Sequence, residues 1–163
     1  MAKCLTKYKK PESIKRLESE LMKRKRLKYP NIPAELLAPI THTDKTANGL
    51  TKAIIAYIKL KGGQAERINT TGIPIDKRKT YTDVLGLRRT IGSIEWVKGT
   101  STPGSADISA TINGRSVKIE VKIGADRQSE AQKKYQRDIE SAGGVYYIAK
   151  DFTTFVEWFN KNF

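Results

Sequence analysis

Apolar and polar residues alternate along the second half of the chain in a pattern typical of short strands joined by tight turns. The alternation predicts strands over Ser105–Ile112 and Arg115–Lys122, with Asn113-Gly114 as the two-residue turn of a hairpin. The following residues predict a helix over Gln128–Ala142, a strand over Val145–Ala149 and a last helix that begins after Asp151. The order of strand, helix and strand predicts a crossover unit with parallel strands.

The first half of the chain carries two stretches with helical spacing of apolar residues. One predicts an amphipathic helix over Pro11–Lys28, and the other predicts a helix from an N-cap within residues 43–46 to Leu60. The intervening segment Tyr29–Ile40 contains three prolines and is predicted to be an extended linker. We expect two short strands, with a polar, irregular stretch between them over residues 70–89: Gln64–Asn69 and Ser93–Val97.

These elements together predict an α/β fold with a mixed central sheet flanked by helices. We expect a basic helical arm and its linker over residues 1–45, and the main domain over residues 46–163. The arm is densely basic, so it is interpreted either as a solvated segment or as one that contacts phosphates.

The amino-acid composition limits the classes of partner and of metal site that the chain can have. The 163 residues include 31 Lys and Arg against 17 Asp and Glu, a formal net charge of +14, which favours a polyanionic partner, most simply nucleic acid. The single cysteine, Cys4, and the single histidine, His42, exclude a disulfide framework and zinc sites that need several Cys or His ligands. No apolar run approaches the ~20 residues of a membrane span, and residues 1–10 lack the apolar core of a signal peptide, so we expect an intracellular protein without a membrane partner.

The predicted hairpin brings two acidic residues together. If Ile112 pairs with Arg115 across the turn, counting outward places Asp107 opposite Glu120, with Lys122 on the same face of the sheet. Two opposed carboxylates need compensation, and a hard cation such as Mg²⁺ takes one or two carboxylates as ligands. The main-chain carbonyl of Val121 could add a third oxygen, and Lys122 could assist the attacking water or steady a phosphate. The alternative is an ordinary exposed hairpin face with mixed charges.

The next helix begins with Ser129-Glu130-Ala131-Gln132, which fits a capping box. Gln132 is therefore interpreted either as a cap residue or as a polar group that faces the two acids. Nearby Lys133 and Lys134 add positive charge. Further candidates for DNA contact, each with solvent exposure as the alternative, are Arg67 and Asn69 on the first short strand and the basic residues of the following loop: Lys77, Arg78, Lys79, Arg88 and Arg89.

Asp107, Glu120-Val121-Lys122, Gln128-Ser129 with Gln132, and the later Ala142-Gly143-Gly144 resemble the PD-(D/E)XK nuclease superfamily, most closely its VRR-NUC branch of small stand-alone phage and bacterial members. The resemblance extends over about residues 50–148. It implies a restriction-endonuclease-like fold and DNA cleavage that depends on Mg²⁺ or Mn²⁺. Asp107 and Glu120 would be metal ligands, Lys122 the catalytic lysine and Gln132 the glutamine of the family's motif.

The resemblance also implies a bacterial cell or phage-infected host, a structure-specific activity on branched or junction DNA, and homodimers among the stand-alone members. One departure concerns the first core helix, where the family commonly has a Glu. Here residues 44–50 contain none, and Asn48 is the candidate substitute, together with Asp44. This departure leaves a second hypothesis open, a DNA-binding module of the same fold that no longer cuts. A third is a basic RNA- or partner-binding protein without catalysis.

Overall fold

The computed structural model describes residues 8–69, 72–97, 99 and 102–163. Its helices and strands are, in chain order, α1 (Glu12–Lys28), α2 (Ala47–Leu60), β1 (Gln64–Arg67), β2 (Ile73–Asp76), β3 (Lys79–Thr82), β4 (Arg88–Ile91), β5 (Ile94–Val97), β6 (Ile108–Ile112), β7 (Arg115–Val121), α3 (Glu130–Ser141), β8 (Val145–Ala149) and α4 (Phe152–Asn162). A single 3₁₀ turn, Ala34–Leu36, interrupts the predicted linker. Met1–Lys7, with Cys4, lie outside the described residues.

The central sheet has four strands in the order β1-β6-β7-β8. Strand β6 pairs antiparallel with β1 and β7, whereas β7 and β8 are parallel, so the sheet is mixed as predicted. Ile112 pairs with Arg115. Asn113 and Gly114 both have positive φ, 48° and 77°, which a type I′ hairpin turn requires. This turn fixes the register of the hairpin that carries the two acids.

The two faces of the sheet are covered differently. Helices α2 and α4 cover the face of the sheet that presents the apolar positions of β6 and β7, and α1 packs on these two helices. The core that they share includes Leu50, Ile58, Ile119 and Phe155. The opposite face presents Glu120 and Lys122, and α3 reaches it through Gln132. Gln132 of α3 lies against Glu120, and the ammonium of Lys122 lies beside the same carboxylate, so both charged residues are buried.

Helix α1 is packed against the core rather than extended as a separate arm. Its residues Ile14 and Leu17 are buried in the same apolar cluster as α2 and α4. Its basic side chains occupy the outer surface. Residues 1–45 therefore share a core with the rest of the chain over the part that the structure describes.

Residues 72–97 form a long antiparallel ribbon, not the irregular stretch predicted for residues 70–89. Strand β2 pairs with β5, and β3 pairs with β4, in one continuous register from Ile73↔Val97 to Thr82↔Arg88. At the tip, the Asp83 carboxylate accepts hydrogen bonds from the amides of Leu85 and Leu87. The prediction failed because the polar composition of the stretch, with Pro74 and Gly86, indicated irregular structure, whereas the four strands of the ribbon are exposed along their whole length and bury no apolar face.

Smaller differences concern strand ends and tryptophans. Ser105–Asp107 precede β6 rather than belonging to it, because Ser105 turns back to bond the carbonyl of Thr102 through its amide. Trp96 is 60% exposed on the ribbon. Trp158 stacks on Tyr147 with ring centroids 4.1 Å apart, at the edge of the core. None of the described helices is long and apolar enough to cross a membrane.

Candidate functional site

Asp107 and Glu120 meet at the end of the β6–β7 hairpin. The register Ile108↔Ile119 continues outward by one residue to this pair. The carboxylate of Asp107 also acts electrostatically on Glu120, where it raises the pKa of the second acid. The predicted juxtaposition of the two acids on one side of the sheet is therefore present in the structure.

Glu120 is the most enclosed charged residue of the site, with an exposed fraction of 2%. Its Oε1 accepts a hydrogen bond from Gln132 Nε2 at 2.6 Å and lies 3.2 Å from the ammonium of Lys122. Its Oε2 is buried and has no hydrogen-bond partner among the described residues. A buried carboxylate oxygen without a partner is costly, and it is the kind of atom that binds a cation.

Burial raises the pKa of the Glu120 carboxyl from 4.5 to about 7, and the charge of Asp107 adds to the effect. The ammonium of Lys122 opposes the shift but does not cancel it. Glu120 therefore exchanges its proton near neutral pH, and any bound cation would favour the ionised form.

Lys122 lies between two acidic groups. Its Nζ is 3.2 Å from Glu120 Oε1 and 3.4 Å from Asp126 Oδ2. Burial alone would lower the pKa of Lys122, but these two carboxylates outweigh burial and raise it above its usual value. The side chain is therefore a positively charged group that can stabilise negative charge rather than a ready proton acceptor.

Gln132 performs both of the roles that the sequence left as alternatives. Its backbone amide donates to Ser129 Oγ, and its side-chain carbonyl accepts from the Ser129 amide, which completes the capping box of α3. The amide nitrogen of the same side chain donates to Glu120. One residue thus starts the helix and anchors the helix to the acidic site.

The loop before Asp107 fits closely against α3. Gly104 has φ of 82°, and a Cβ atom at this position would be 2.4 Å from the carbonyl oxygen of Ala131. Only glycine allows this approach, because any side chain would collide with the helix backbone. The approach connects the loop that carries Asp107 with the helix that carries Gln132.

The backbone of β7 and β1 holds Asp107 in place. Asp107 Oδ2 accepts a hydrogen bond from the amide of Val121 at 2.9 Å, and its carbonyl accepts one from the amide of Ile68 at 2.8 Å. Val121 therefore contributes its N–H to the site in this structure. The ligand role predicted for its carbonyl remains a prediction.

A metal would have few protein ligands here. No group of three or more His, Cys, Asp or Glu side chains is arranged for a metal within the described ranges. Asn48, the candidate substitute on the first core helix, accepts a hydrogen bond from Arg67 Nη1 at 2.8 Å. A guanidinium on that oxygen disfavours a cation at the same atom, so the donor set consists of the two carboxylates. One or two carboxylates are the usual complement for Mg²⁺, with water and phosphate supplying other ligands.

Several predicted basic contacts have acidic neighbours in the fold. Lys77 pairs with Glu95, Arg78 with Asp76, Arg89 with Asp83, and Lys133 with Glu130. Lys79, Arg88 and Lys134 form no ion pair in the portion of the chain that is described. Asn69 follows β1, two residues after Arg67. DNA contact by all of these residues remains a prediction.

Two side chains near the site were not predicted. Asp126 lies four residues after Lys122, in the loop that follows β7, and pairs with it. Tyr146, on β8, has a buried hydroxyl, and burial raises its pKa to about 12, with Glu120 as the next cause. The parallel pairing of β7 with β8 places Tyr146 opposite Lys118, two positions from Glu120. No periodic pattern in the sequence indicates Asp126, because it lies in the loop after β7 and not on a helix, and Tyr146 required the strand register.

Comparison with known proteins adds no family assignment. A scan against protein-family models finds no match to this chain, and a search of curated proteins finds no significant one.

Proposed function

We propose that the chain is a divalent-metal-dependent endonuclease that hydrolyses phosphodiester bonds of DNA. The observation that carries the proposal is the buried, unpartnered Oε2 of Glu120 beside Asp107, with Lys122 and Gln132 on the other oxygen. An acid held in this way is expensive for the fold unless its charge is used.

The donor set fits a hard cation. Asp107 and Glu120 would hold Mg²⁺ or Mn²⁺, since carboxylate oxygens are the ligands that these ions prefer. When bound, such an ion polarises a phosphate oxygen and favours activation of the attacking water.

The chain's own residues supply the remaining functions. Lys122 provides a fixed positive charge 3.2 Å from Glu120, suited to stabilising charge that develops on a phosphate. Gln132 fixes the rotamer of Glu120 through its 2.6 Å hydrogen bond. The net charge of +14 attracts a polyanion and makes its binding depend on salt. Branched or junction DNA as the preferred substrate rests on the family resemblance alone.

A second candidate is a DNA-binding module of the same fold that does not cut. The pairing of Asn48 with Arg67 favours it, because this pairing leaves the metal with two carboxylate ligands. The two candidates agree on DNA binding and differ on cleavage.

The test is a cleavage assay on linear, flapped and four-way DNA, with Mg²⁺, with Mn²⁺ and with a chelator. We expect cleavage only with metal, and a loss of at least about 100-fold for Asp107→Asn and for Glu120→Gln. The matched control is Glu157→Gln, which removes an exposed carboxylate on α4 and leaves the site intact.

DNA binding without cleavage under every metal condition would favour the non-cutting module. Equal cleavage by wild type and both site variants would show that another site or a contaminant acts. A preference for RNA without any metal dependence would support the third hypothesis.

A further inference from the structure

Tyr146, on β8, carries a buried polar group to which the proposed function gives no role. The side chain is 9% exposed, and its hydroxyl has no hydrogen-bond partner among the described residues. Burial raises the pKa of this hydroxyl, and the nearby amide of Gln128 opposes the rise without bonding to it, because the amide nitrogen donates to Gln136 at 3.0 Å instead. A buried hydroxyl without a partner is unfavourable, so this one needs an acceptor from outside the chain.

The sheet register places Tyr146 on the same face as Glu120. Tyr146 pairs directly with Lys118 on the parallel neighbour β7, and Lys118 and Glu120 are two residues apart on that strand. Directly paired residues share a face of the sheet, and so do residues two apart along a strand. Tyr146 is therefore a diagonal neighbour of Glu120, at a backbone separation of roughly 7–8 Å that an aromatic side chain can span.

One face of α3 covers both side chains. Gln132 donates to Glu120 Oε1 at 2.6 Å. Tyr135, three residues after Gln132, meets the ring of Tyr146 edge-on, with the ring centroids 6.4 Å apart. Residues three apart on a helix lie on the same face. Tyr146 and Glu120 thus share one buried region between the sheet and α3.

The two unpartnered atoms of this region are chemically complementary. The ionised carboxylate oxygen Oε2 of Glu120 can only accept hydrogen bonds, whereas the phenolic O–H of Tyr146 can donate one. No hydrogen bond joins the two directly. One water molecule can accept from the hydroxyl and donate to the carboxylate, and buried waters commonly bridge polar groups of this kind.

We propose that Tyr146 is a positioning residue: its hydroxyl holds a water molecule against Oε2 of Glu120, and this water attacks the phosphate in the proposed hydrolysis. The water bridge stands on the geometry alone, whereas its use in the reaction rests on the proposed function. A carboxylate oxygen has two lone pairs, so Oε2 can bind both a cation and this water.

The bridge orients the water for attack. With one lone pair bound by Tyr146 and one O–H bound by Glu120, the remaining lone pair has a fixed direction. The water oxygen forms the new bond to phosphorus, and the bond from phosphorus to the leaving sugar oxygen breaks. That oxygen takes up one proton, so the H and OH of the water are divided between the two products. Tyr146 keeps its own proton.

The first measurement requires neither DNA nor metal. Urea unfolding at pH 8 in a chelator gives the unfolding equilibrium constants of wild type, Tyr146→Phe, Glu120→Gln and the double variant. Tyr146→Phe should raise the constant about 5-fold or more in the wild-type background, but less than about twofold beside Glu120→Gln, which removes the charged acceptor of the bridge. A hydroxyl without any water predicts the opposite sign, because Phe would then remove an unsatisfied buried group.

Tyr147→Phe is the matched control. It removes the same hydroxyl from the next residue of β8, whose ring packs on Trp158 and the core on the other face of the sheet. Its effect on the unfolding constant should agree within about twofold with and without Glu120→Gln.

Two further measurements examine the water and its use. A crystal structure of the full chain at pH 8 should show a water at hydrogen-bond distance, about 2.5–3.0 Å, from both Tyr146 Oη and Glu120 Oε2, and Tyr146→Phe should lack it. In single-turnover cleavage with Mg²⁺, Tyr146→Phe should lower the maximal rate about 10-fold or more and leave the half-saturating DNA concentration within about twofold. Tyr147→Phe should change neither.

The outcomes separate the bridge from the reaction. A more stable Tyr146→Phe, an equal effect in both Glu120 backgrounds, or a side chain bonded to the Tyr146 hydroxyl overturns the bridge. Wild-type cleavage rates in Tyr146→Phe overturn the use of the water in the reaction. A bridge in a chain that cuts no DNA under any metal condition supports the bridge and overturns the proposed function instead.

Discussion

Gln132 donates a 2.6 Å hydrogen bond to Glu120 while the same side chain closes the N-terminal cap of α3. Two variants separate these functions. Ser129→Ala removes the cap hydroxyl and should lower the free energy of unfolding by about 1 kcal/mol, with little change in the proposed cleavage. Gln132→Glu keeps a capping-box residue but places a second carboxylate against Glu120, and should lower cleavage or metal affinity about 10- to 100-fold.

The measurements are urea unfolding and single-turnover cleavage of both variants. Equal effects of the two variants on cleavage would mean that Gln132 acts only through the helix.

The raised pKa of Glu120 predicts how stability changes with pH. The folded chain holds the proton up to about pH 7, whereas an unfolded Glu loses it near 4.5. The resulting stabilisation is fully present below pH 4.5 and is lost as pH rises through 7. Relative to Glu120→Gln, which cannot ionise, wild type should lose up to about 3 kcal/mol between pH 4.5 and 8.

Urea titrations of both proteins at pH 5 and pH 8 in a chelator measure this difference. If the difference in free energy of unfolding between the two proteins is the same at both pH values, the raised pKa of Glu120 is contradicted. With the proposed Mg²⁺ site, millimolar Mg²⁺ at pH 8 should recover part of the loss in wild type but not in Glu120→Gln.

The close approach of Gly104 to α3 predicts a large cost for a single methyl group. Gly104→Ala combines an unfavourable φ with a collision at the Ala131 carbonyl, so we expect about 2 kcal/mol or more of destabilisation. Gly143→Ala is the matched control, because Gly143 has nearly the same φ, 79°, and open space around its Cβ. Thermal or urea unfolding measures the free energy of unfolding of both variants. The difference between them is the cost of the collision, because both variants share the cost of the positive φ. Equal losses of stability in the two variants would show that α3 moves away from the added methyl group without cost.

Arg67 provides a test of DNA contact near the site. Its guanidinium is held by Asn48, and the residue after it bonds to Asp107. If the chain binds DNA as proposed, Arg67→Ala should weaken that binding. It should also reduce the magnitude of the slope of log affinity against log salt by about 1, the value for one phosphate contact. Arg115→Ala makes the same charge change at the other end of the hairpin, where Arg115 lies over Phe163.

Binding titrations at several salt concentrations measure both variants. A salt slope that changes equally for the two would mean that only net charge matters.

The sequence was most informative where local chemistry decides the structure. Asn113-Gly114 specifies its turn through positive φ, and this alone sets the register that brings Asp107 opposite Glu120. The mixed sheet and the helix caps at Thr46, Ser129 and Asp151 also follow from short-range patterns.

The sequence was less informative where distant elements meet. The burial of Glu120 depends on α3 docking over the sheet. The hydrogen bond that the Asn48 side chain accepts comes from Arg67, on a strand 19 residues later. The ribbon escaped prediction because its apolar residues face solvent, so their pattern does not report a core. Ile14 and Leu17 belong to the core although dense basic residues surround them in the sequence.

The two-residue turn between β6 and β7 also bears on the order in which the site assembles. Hairpins close on a timescale of roughly 1–10 μs, and this one needs no distant segment, so the two acids come together while water still surrounds them. The loss of that water waits for the crossover that delivers α3. We therefore expect dehydration of the acidic pair to be a late step of folding, with a barrier that shrinks in acid.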